Sequence, residues 1–275
     1  EAASGRTLDK WVHTWLQTAG VNTLRPQLEM DGENYKSVVI SQEVPLVPAG
    51  SQELRPHRLA VGLYDISGNS LNLRKSVELD VVGASTVVTE LAGQKVADLL
   101  LINDRDLSYA KLRFDDRSIA TLKTHLGKFD DALARALCWA SIWDMHRDAE
   151  ISAADFLEIA LNGLAGETDD AIVNIVLTQL GTSVEAYAKD SNRDAYREKL
   201  AAGLWALTES SAPGSDLQLL ISRAFAINAH TEAQTANILA LLNGSAPGLK
   251  VDTDLRWYFL IALTERGATT KAELD

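Results

Sequence analysis

The segment from Ala136 to Trp143 constrains the fold more than any other part of the chain. Ser141 is its only polar residue, so a helix over this segment is apolar nearly all the way round. Such a helix has no face suited to water and must be covered by other helices. The segment therefore predicts a buried helix within a stack of helices.

Apolar residues between Leu24 and Phe114 recur with period two, which is typical of strands that bury one face. Turn residues at 31–32 and 67–69 separate these runs, and Pro45 to Pro56 predict a longer loop. This half of the chain therefore predicts an antiparallel β-sandwich. The predicted inward-facing residues are Val38, Ile40, Leu59, Val61, Leu63, Leu73, Val77, Leu79 and Val81.

From Ser118 onward the period changes to 3.6, which is typical of helices. Helix starts are marked by residues that can cap a free backbone N–H, namely Ser152, Ser191, Thr231 and Asp252. Alternate starts lie about 37 to 47 residues apart, close to the spacing of HEAT and armadillo helix pairs. This half predicts an α-α superhelix of such pairs with a concave inner face. One continuous helix face is predicted from Ile172, Ile175, Val176, Leu180, Val184 and Tyr187.

The amino-acid composition limits the kinds of partner and compartment that suit this protein. The 275 residues carry a formal charge of −12, which disfavours nucleic acid because phosphate contacts depend on clustered Lys and Arg. No apolar run approaches the roughly 20 residues of a membrane helix, so no membrane contact is expected. The single cysteine, Cys138, cannot form an intramolecular disulfide and indicates a reducing compartment. We expect a cytoplasmic protein.

One cluster of potential metal ligands lies at Asp144, His146, Asp148 and Glu150. On a helix the residues at 144 and 148 share a face while the one at 146 points away, so the four cannot converge. We therefore expect a solvated helix end rather than a metal site.

The Asn103–Asp106 segment begins like a calcium-binding loop, but Tyr109 occupies the position that requires Gly, so a turn between strands is favoured. Cys138 lies between Leu137 and Trp139, which favours a buried thiol over a nucleophile. The sequence contains no Gly-x-Ser-x-Gly elbow, dinucleotide fingerprint or Walker loop. No catalytic, cofactor-binding or metal-binding residue is predicted in this chain.

Arg223 and Arg256 each interrupt an apolar helical pattern. A buried charge is costly unless it is paired or faces a cavity. Asp216 and Asp254 are the candidate partners for internal salt bridges, and the alternative is that the arginines face a cavity. Aromatic residues at helical spacing predict core packing rather than ligand contacts; they are Trp139, Trp143, Trp205 and Trp257.

The Asp130–Leu157 segment resembles the start of the C-terminal helical domain of the zinc aminopeptidase N family, in its actinobacterial version. Five further segments are similar to other parts of the same C-terminal region. The resemblance implies a terminal helix of the catalytic domain at residues 1–21, a β-sandwich domain at 22–116 and a HEAT-like helical domain at 117–275 that is truncated at its end. The five segments are Leu8–Leu24, Arg55–Asp65, Leu100–Ser118, Gly214–Ala226 and Val251–Leu263.

The activity of that family depends on a His-Glu-x-x-His helix with a downstream Glu, and on a Gly-x-Met-Glu-Asn loop. Neither motif occurs in this sequence. The resemblance therefore implies a parent zinc metalloaminopeptidase, a peptide hydrolase of the gluzincin type, that binds zinc only in its catalytic domain. The present chain is expected to be non-catalytic and to wall and cap the catalytic chamber, where it controls substrate access.

The partners implied by the resemblance are the missing catalytic domain and, in the intact enzyme, peptide substrates. Trp11, Trp15 and Leu16 are predicted to form an apolar face against that domain. Arg223 and Arg256 are the candidate contacts with substrate in the chamber. The alternative function is a stand-alone helical-repeat module that binds a protein or a peptide along its concave face.

Overall fold

A computed structural model describes residue 5, residues 7–45 and residues 51–271. The chain divides into two compact units, Glu1–Met145 and His146–Asp275. The division falls inside helix α3 (Ala132–Arg147), whereas helical structure begins earlier, with α2 (Asp116–His125). The domain boundaries after residues 21 and 116 stay a prediction. Part of the predicted loop between Pro45 and Pro56, at 46–50, lies outside the described residues.

The described strands of the first unit form two sheets. They are β1 (Thr23–Asp31), β2 (Asn34–Glu43), β3 (His57–Ser67), β4 (Ser70–Val81), β5 (Ser85–Val87), β6 (Leu99–Ile102) and β7 (Lys111–Leu112). The strand orders are β5-β2-β1-β7 and β4-β3-β6. All pairs are antiparallel except β1 with β7, which is parallel. The prediction of purely antiparallel strands is wrong for β7, because this strand follows β6 from the other sheet and no tight hairpin fixes its direction.

Two predicted hairpin turns are confirmed. Gly32 connects β1 to β2 and Gly68 connects β3 to β4, with φ of 60° and 62°. Backbone in this left-handed region is accessible to Gly without a steric cost from Cβ, which explains why Gly occupies both turns.

Both sheets contribute to a single apolar cluster. Leu24 and Ile40 of one sheet and Leu59 and Leu63 of the other are fully buried in it. Leu73 is a wrong prediction, since it is 47% exposed while Leu71 is buried. The β3–β4 register shifts between Leu63 and Tyr64, which places Leu71 and Leu73 on the opposite face from Val77. On that face Leu71, which bridges to Phe129, is buried and Leu73 is exposed.

The N-terminal helix is shorter than the predicted Leu8–Leu24 segment. Helix α1 spans Asp9–Leu16, and Leu24 already lies in β1. Gly20 has φ of 96°, which a continuing helix cannot contain. A Cβ at this position would lie 2.4 Å from Cγ of Pro45, so the chain must approach closely here without a side chain.

Helix α3 confirms the helix predicted between Ala136 and Trp143 and most of its burial, although Ala140 is exposed. Cys138 and Ile142 have no exposed surface, and Trp139 is 4% exposed. Burying such apolar side chains stabilises the fold by roughly 25 cal/mol for each Å² of apolar surface removed from water.

The second unit continues with helices in the described residues. They are α4 (Ala153–Leu164), α5 (Asp170–Thr182), a π-helical turn (Ser183–Tyr187), α6 (Asp190–Ser210), α7 (Asp216–Asn228), α8 (Glu232–Leu242) and α9 (Thr253–Glu265). Alternate helices pack against one another, α4 on α6, α5 on α7 and α7 on α9. In the described parts of the chain, no helix is both long enough and apolar enough to span a bilayer.

Three of the four predicted helix caps are confirmed. Ser152, Thr231 and Asp252 each accept a hydrogen bond from a backbone N–H of the first turn. The prediction of Ser191 as a cap is wrong, since α6 begins at Asp190 and its cap position is Lys189, two residues before Ser191. Lys189 has the extended backbone that precedes a helix, with φ of −61° and ψ of 138°.

The predicted face of α5 is partly wrong. Ile175 is 55% exposed and Tyr187 is 45% exposed, whereas Val173 is buried. Val176, Leu180 and Val184 are buried as predicted, so the inward stripe keeps these positions but includes Val173 in place of Ile175. The π-helical turn after Thr182 changes the angular spacing before Tyr187.

Candidate functional site

The two arginines predicted from the sequence lie on different helices of the second unit. Arg223 is half-buried on α7, and Arg256 is exposed on α9. The predicted internal salt bridges are not found, because among the described residues neither arginine makes an ion pair with Asp216 or Asp254. Asp254 is two residues from Arg256, a spacing that points the side chains to different sides of a helix.

Arg223 lines a groove of about 510 Å³ formed by α5, α7 and α9. Its apolar walls come from Leu177, Leu220, Ile227 and the ring of Tyr258. These helices meet because alternate helices pack side by side, so residues far apart in sequence share one wall. The groove places the charge of Arg223 beside both apolar and polar side chains.

The guanidinium of Arg223 lies over the ring of Tyr258, with Cζ 5.1 Å from the ring centroid. This cation–π contact favours the charge by roughly 0.5–1 kcal/mol when it is partly exposed. Nε of Arg223 is enclosed and has no hydrogen-bond partner within the described structure. The guanidinium is therefore stacked on an aromatic ring and makes no ion pair with any described residue.

The polar side chains of the groove are already engaged with the backbone. Nδ2 of Asn174 donates to the carbonyl of Asp170 at 2.8 Å, and Oγ1 of Thr178 donates to the carbonyl of Asn174 at 2.9 Å. Nδ2 of Asn228 donates to the carbonyl of Ala224 at 2.8 Å. Each of these bonds uses one donor, so the amides of Asn174 and Asn228 keep a second N–H and a carbonyl oxygen on the groove.

The acidic residue of the groove, Glu185, is paired with an arginine. Glu185 accepts hydrogen bonds from Nε and Nη2 of Arg197 at 2.7 and 2.5 Å, and the pKa of Glu185 is lowered chiefly by that hydrogen bonding. His230, at the rim, has its pKa lowered by burial first and then by the charges of Arg197 and Arg266. At neutral pH the imidazole is uncharged, so Arg223 supplies the uncompensated charge of this groove.

A second group of buried polar residues lies in the first unit, where α1 meets the sheets. Arg55 is 3% exposed and donates to the carbonyl of Thr14 at 2.8 Å, to Oδ1 of Asn22 at 3.0 Å and to Oγ1 of Thr18 at 2.7 Å. Its guanidinium lies 5.6 Å from the ring of Trp15. Arg55 therefore fixes the carbonyl end of α1, where the helix dipole is negative.

The face predicted from Trp11, Trp15 and Leu16 is split by this arrangement. Trp15 turns inward and packs edge-on against His57 at 5.3 Å between ring centroids. Trp11 and Leu16 remain outside, 47% and 69% exposed. The prediction is wrong for Trp15, because the buried guanidinium beneath it offers a cation–π contact.

His57 is buried between two polar partners. Its Nε2 lies 3.1 Å from Nε2 of Gln42, and its Nδ1 lies 2.6 Å from Oγ of Ser108. The amide can only donate, so the imidazole accepts at Nε2 and carries its proton at Nδ1. Burial, and then the charge of Arg55, lower the pKa of His57 to about 4.

The segment that begins like a calcium-binding loop is a turn, as predicted. Asp104 is 4% exposed, and its Oδ1 accepts a hydrogen bond from the hydroxyl of Tyr64. Burial raises the pKa of both groups, and for Tyr64 the hydrogen bond to Asp104 adds to the effect. Gly62 is required beside this pair, because a Cβ there would lie 2.7 Å from Cγ of Asp104.

The cluster around His146 is only partly the predicted solvated helix end. His146 is 4% exposed, with Nδ1 donating to the carbonyl of Ile151 at 2.9 Å and Nε2 accepting from Oγ of Ser183 at 2.8 Å. The ring stacks on Phe156 at 4.8 Å, and burial lowers its pKa. The expectation of solvation is wrong for His146, because its aromatic ring completes the packing between helices.

Within the described residues, no group of three His, Cys, Asp or Glu side chains is arranged to hold a metal ion. Cys138 is buried, as predicted, and burial raises the pKa of its thiol. Core packing is confirmed for Trp139, which is buried, and for Trp205, whose ring centroid lies 5.0 Å from that of Phe225. It is wrong for Trp257, which is 49% exposed. Its helix, α9, buries Leu255 and Phe259 on the opposite side.

The sequence indicated Arg223 but not the residues that surround it. Tyr258 comes from α9 and His230 from the loop before α8, and neither belongs to a motif. The unusual charge in an apolar helix was the available signal, and only the packing of α7 on α9 brings the ring of Tyr258 beneath it.

Comparison with known proteins gives two matches. Residues 99–275 match a protein family described as "ERAP1-like C-terminal domain". The whole chain is also 43% identical, over 281 residues, to a protein named Aminopeptidase N from Streptomyces lividans. The match covers 100% of this chain but 33% of that protein, so the chain spans about a third of the length of its relative.

Proposed function

Because this chain belongs to the ERAP1-like C-terminal domain family, we propose that it is the non-catalytic C-terminal region of a zinc aminopeptidase. The observation that carries the proposal is the 43% identity along the whole chain to one third of an aminopeptidase N. The intact enzyme would release N-terminal amino acids from peptides. This region would wall and cap its catalytic chamber and thereby control substrate access.

The architecture supports this assignment. We interpret the two sheets with their shared apolar cluster as a β-sandwich. We interpret the helices, whose alternate members pack side by side, as a HEAT-like superhelix. An array of this kind offers an extended inner surface, which suits the wall of a chamber better than it suits a catalytic centre.

Zinc does not belong to this chain in the proposal. The family's zinc-binding His-Glu-x-x-His motif is missing from the sequence, and the described residues contain no alternative group of ligands. The residues present therefore do not fit a catalytic zinc ion, and no chemical step is assigned to them. Zinc would be held by the catalytic domain of the same longer chain.

That catalytic domain is the proposed main partner. Trp11 and Leu16 expose apolar surface on α1, whose carbonyl end is fixed to the first unit by Arg55. A reducing, cytoplasmic location stays part of the proposal, and it depends on the single cysteine Cys138.

The first test uses the 275-residue chain itself. We expect the purified protein to hold no stoichiometric zinc and to cleave no aminoacyl anilide. Metal content by mass spectrometry and release of the chromogenic aniline are the two measurements. Hydrolysis that a chelator abolishes would contradict the non-catalytic assignment.

The chamber role is tested in the longer enzyme. Arg223→Gln and Arg256→Gln should raise KM for peptides, because a peptide extends beyond the reaction centre toward the helical region. The same variants should leave KM and kcat for a single-residue aminoacyl anilide unchanged, since this substrate is too short to reach these arginines. Equal effects on both substrates, or no effect on either, would argue against the role in access.

A further inference from the structure

The sequence contains the dipeptide Asn-Gly twice, at 162–163 and at 243–244, and a leucine precedes it in both places. Such an asparagine can modify itself, because a following glycine has no Cβ to hinder the approach of its backbone nitrogen to the side-chain amide. In an unfolded chain the two sites have the same local chemistry, so a difference in reactivity must come from the fold. Exposure does not supply that difference, since Asn162 and Asn243 are both exposed.

The first site lies within helix α4, where Gly163 is buried. Helical backbone holds each nitrogen in a hydrogen bond to the carbonyl four residues earlier. The nitrogen of Gly163 would have to leave this helix, and its buried position, before it could approach the side chain of Asn162. The fold therefore protects the first site.

The second site lies at the end of α8. Asn243 has φ of −85° and ψ of 9°, and Gly244 has φ of 79° in the left-handed region. The nitrogen of Gly244 donates to the carbonyl of Leu241 at 2.9 Å. The nitrogen of Ser245 donates to the carbonyl of Ala240 at 3.0 Å. This pair of bonds is a Schellman motif, which favours Gly at the position of Gly244, so the residue that ends α8 is also the one that makes the preceding amide reactive.

The end of α8 can open without disturbing a core. Asn243, Gly244 and Ser245 are all exposed. A Cβ placed on Gly244 would meet no atom within 4 Å, so the backbone has room to turn. Exposed helix ends open at a small fraction of the free energy that unfolds a buried helix. The second site therefore reaches the reactive geometry far more often than the first.

We propose that Asn243 is a site of spontaneous deamidation in the folded protein. The backbone nitrogen of Gly244 loses its proton and forms a bond to Cγ of Asn243. The bond from Cγ to Nδ2 breaks, and Nδ2 leaves as ammonia. Water then opens the cyclic imide at one of its two carbonyls, which gives aspartate or isoaspartate. The net reaction consumes water and releases ammonia, and it does not depend on the proposed function.

The product changes the connection between α8 and α9. A carboxylate at position 243 adds a negative charge at the carbonyl end of α8, where the helix dipole is already negative. Isoaspartate also lengthens the backbone by a carbon atom just before a closely fitted segment. A Cβ on Gly248 would lie 2.6 Å from the carbonyl carbon of Pro213, and the carbonyl of Pro247 accepts from Nε2 of Gln218 at 3.3 Å. Modification should loosen this contact.

The test is ageing of the whole 275-residue chain at mildly alkaline pH, followed by peptide mass spectrometry. Conversion of an amide to an acid raises the peptide mass, and electron-transfer fragmentation separates isoaspartate from aspartate. We expect Asn243 to react at least about tenfold faster than Asn162, because a helix end opens more often than a buried helical residue. In guanidinium chloride, which unfolds both helices, the two sites should react at similar rates.

Matched variants separate the chemistry from its structural effect. Asn243→Gln should stop the reaction, because the longer side chain disfavours ring closure. Asn162→Gln should leave the rate at Asn243 unchanged. Hydrogen exchange at 243–250 should be faster in the aged chain than in Asn243→Gln aged in parallel. Fresh Asn243→Asp carries the charge without the extra backbone carbon, so its exchange should lie between these two. Unchanged thermal unfolding of each fresh variant confirms that the fold is retained.

Four outcomes would overturn the proposal. Equal rates at the two sites of the folded chain would remove the role of the fold. An Asn243 that reacts in guanidinium chloride but stays intact in the folded chain would show that the end of α8 protects it. Aspartate without isoaspartate would indicate direct hydrolysis rather than attack by the nitrogen of Gly244. Unchanged hydrogen exchange after modification would remove the effect on the connection. None of these results bears on zinc content or on the anilide assay.

Discussion

Acidification should destabilise the first unit through His57. This side chain is 2% exposed, accepts a hydrogen bond from Gln42 and lies beside Arg55. A proton on Nε2 would face an amide donor and add a charge next to a buried guanidinium. If the Gln42 amide turned over to accept that proton, its oxygen would face the carbonyl of Arg55, to which it now donates at 2.7 Å.

The magnitude follows from linkage between protonation and folding. The pKa of His57 is about 4 in the folded protein, against 6.5 without the fold. As pH falls below 6.5, the unfolded chain takes up a proton that the folded chain excludes, so the free energy of unfolding decreases. The loss from this one residue reaches about 3 kcal/mol near pH 4 and changes little below that, since each pH unit within the window contributes about 1.4 kcal/mol.

The assay is urea unfolding of the chain and of His57→Gln at a series of pH values from 7 to 4. Gln accepts a hydrogen bond but does not titrate, so its free energy of unfolding should fall about 3 kcal/mol less over this range. The control is His13→Gln, the same substitution at an exposed position on α1. Parallel pH curves for the unaltered chain and His57→Gln would refute the assignment of a buried, neutral imidazole.

Three further predictions concern stability and reactivity. Gly62→Ala should lower the free energy of unfolding by about 1–3 kcal/mol, because the new Cβ meets Asp104. Its control is Gly181→Ala, in open space on α5, which should be neutral or stabilising. Urea unfolding that shows Gly181→Ala to be less stable than Gly62→Ala would contradict the argument. Thr231→Ala should cost about 0.5–2 kcal/mol, since it removes the side chain that caps α8; an unchanged urea midpoint would count against the capping box. Alkylation of Cys138 by iodoacetamide, followed by mass, should require unfolding because the thiol is buried and its pKa raised; rapid labelling of the folded chain would show the helix to be accessible.

The fold was predictable where local patterns coincide with tertiary packing. The apolar segment around Cys138 could only be buried, and the turns at Gly32 and Gly68 required a left-handed backbone. Predictions failed where one extra residue in a strand changes which face of the sheet the following side chains occupy. A register shift between Leu63 and Tyr64 moves Leu73 to the opposite face from Val77, and the alternation of residue types does not reveal such a bulge.

The candidate site was predictable only in part, for the same physical reason. A charge in an apolar helix singled out Arg223, because burying it unpaired is unfavourable. Its surroundings depend on packing between helices that are distant in sequence, so neither Tyr258 nor the engagement of Glu185 by Arg197 was visible. The inward turn of Trp15 likewise depends on Arg55, about 40 residues away in the chain.

The most direct test of the proposed function is the reading frame of the source gene upstream of Glu1. The proposal requires a His-Glu-x-x-His motif with a downstream Glu, and a Gly-x-Met-Glu-Asn loop, in the same frame as this chain. Finding both would join the chain to a zinc aminopeptidase. A frame that opens near Glu1 without these motifs would contradict the proposal and make a stand-alone peptide-binding module the leading explanation.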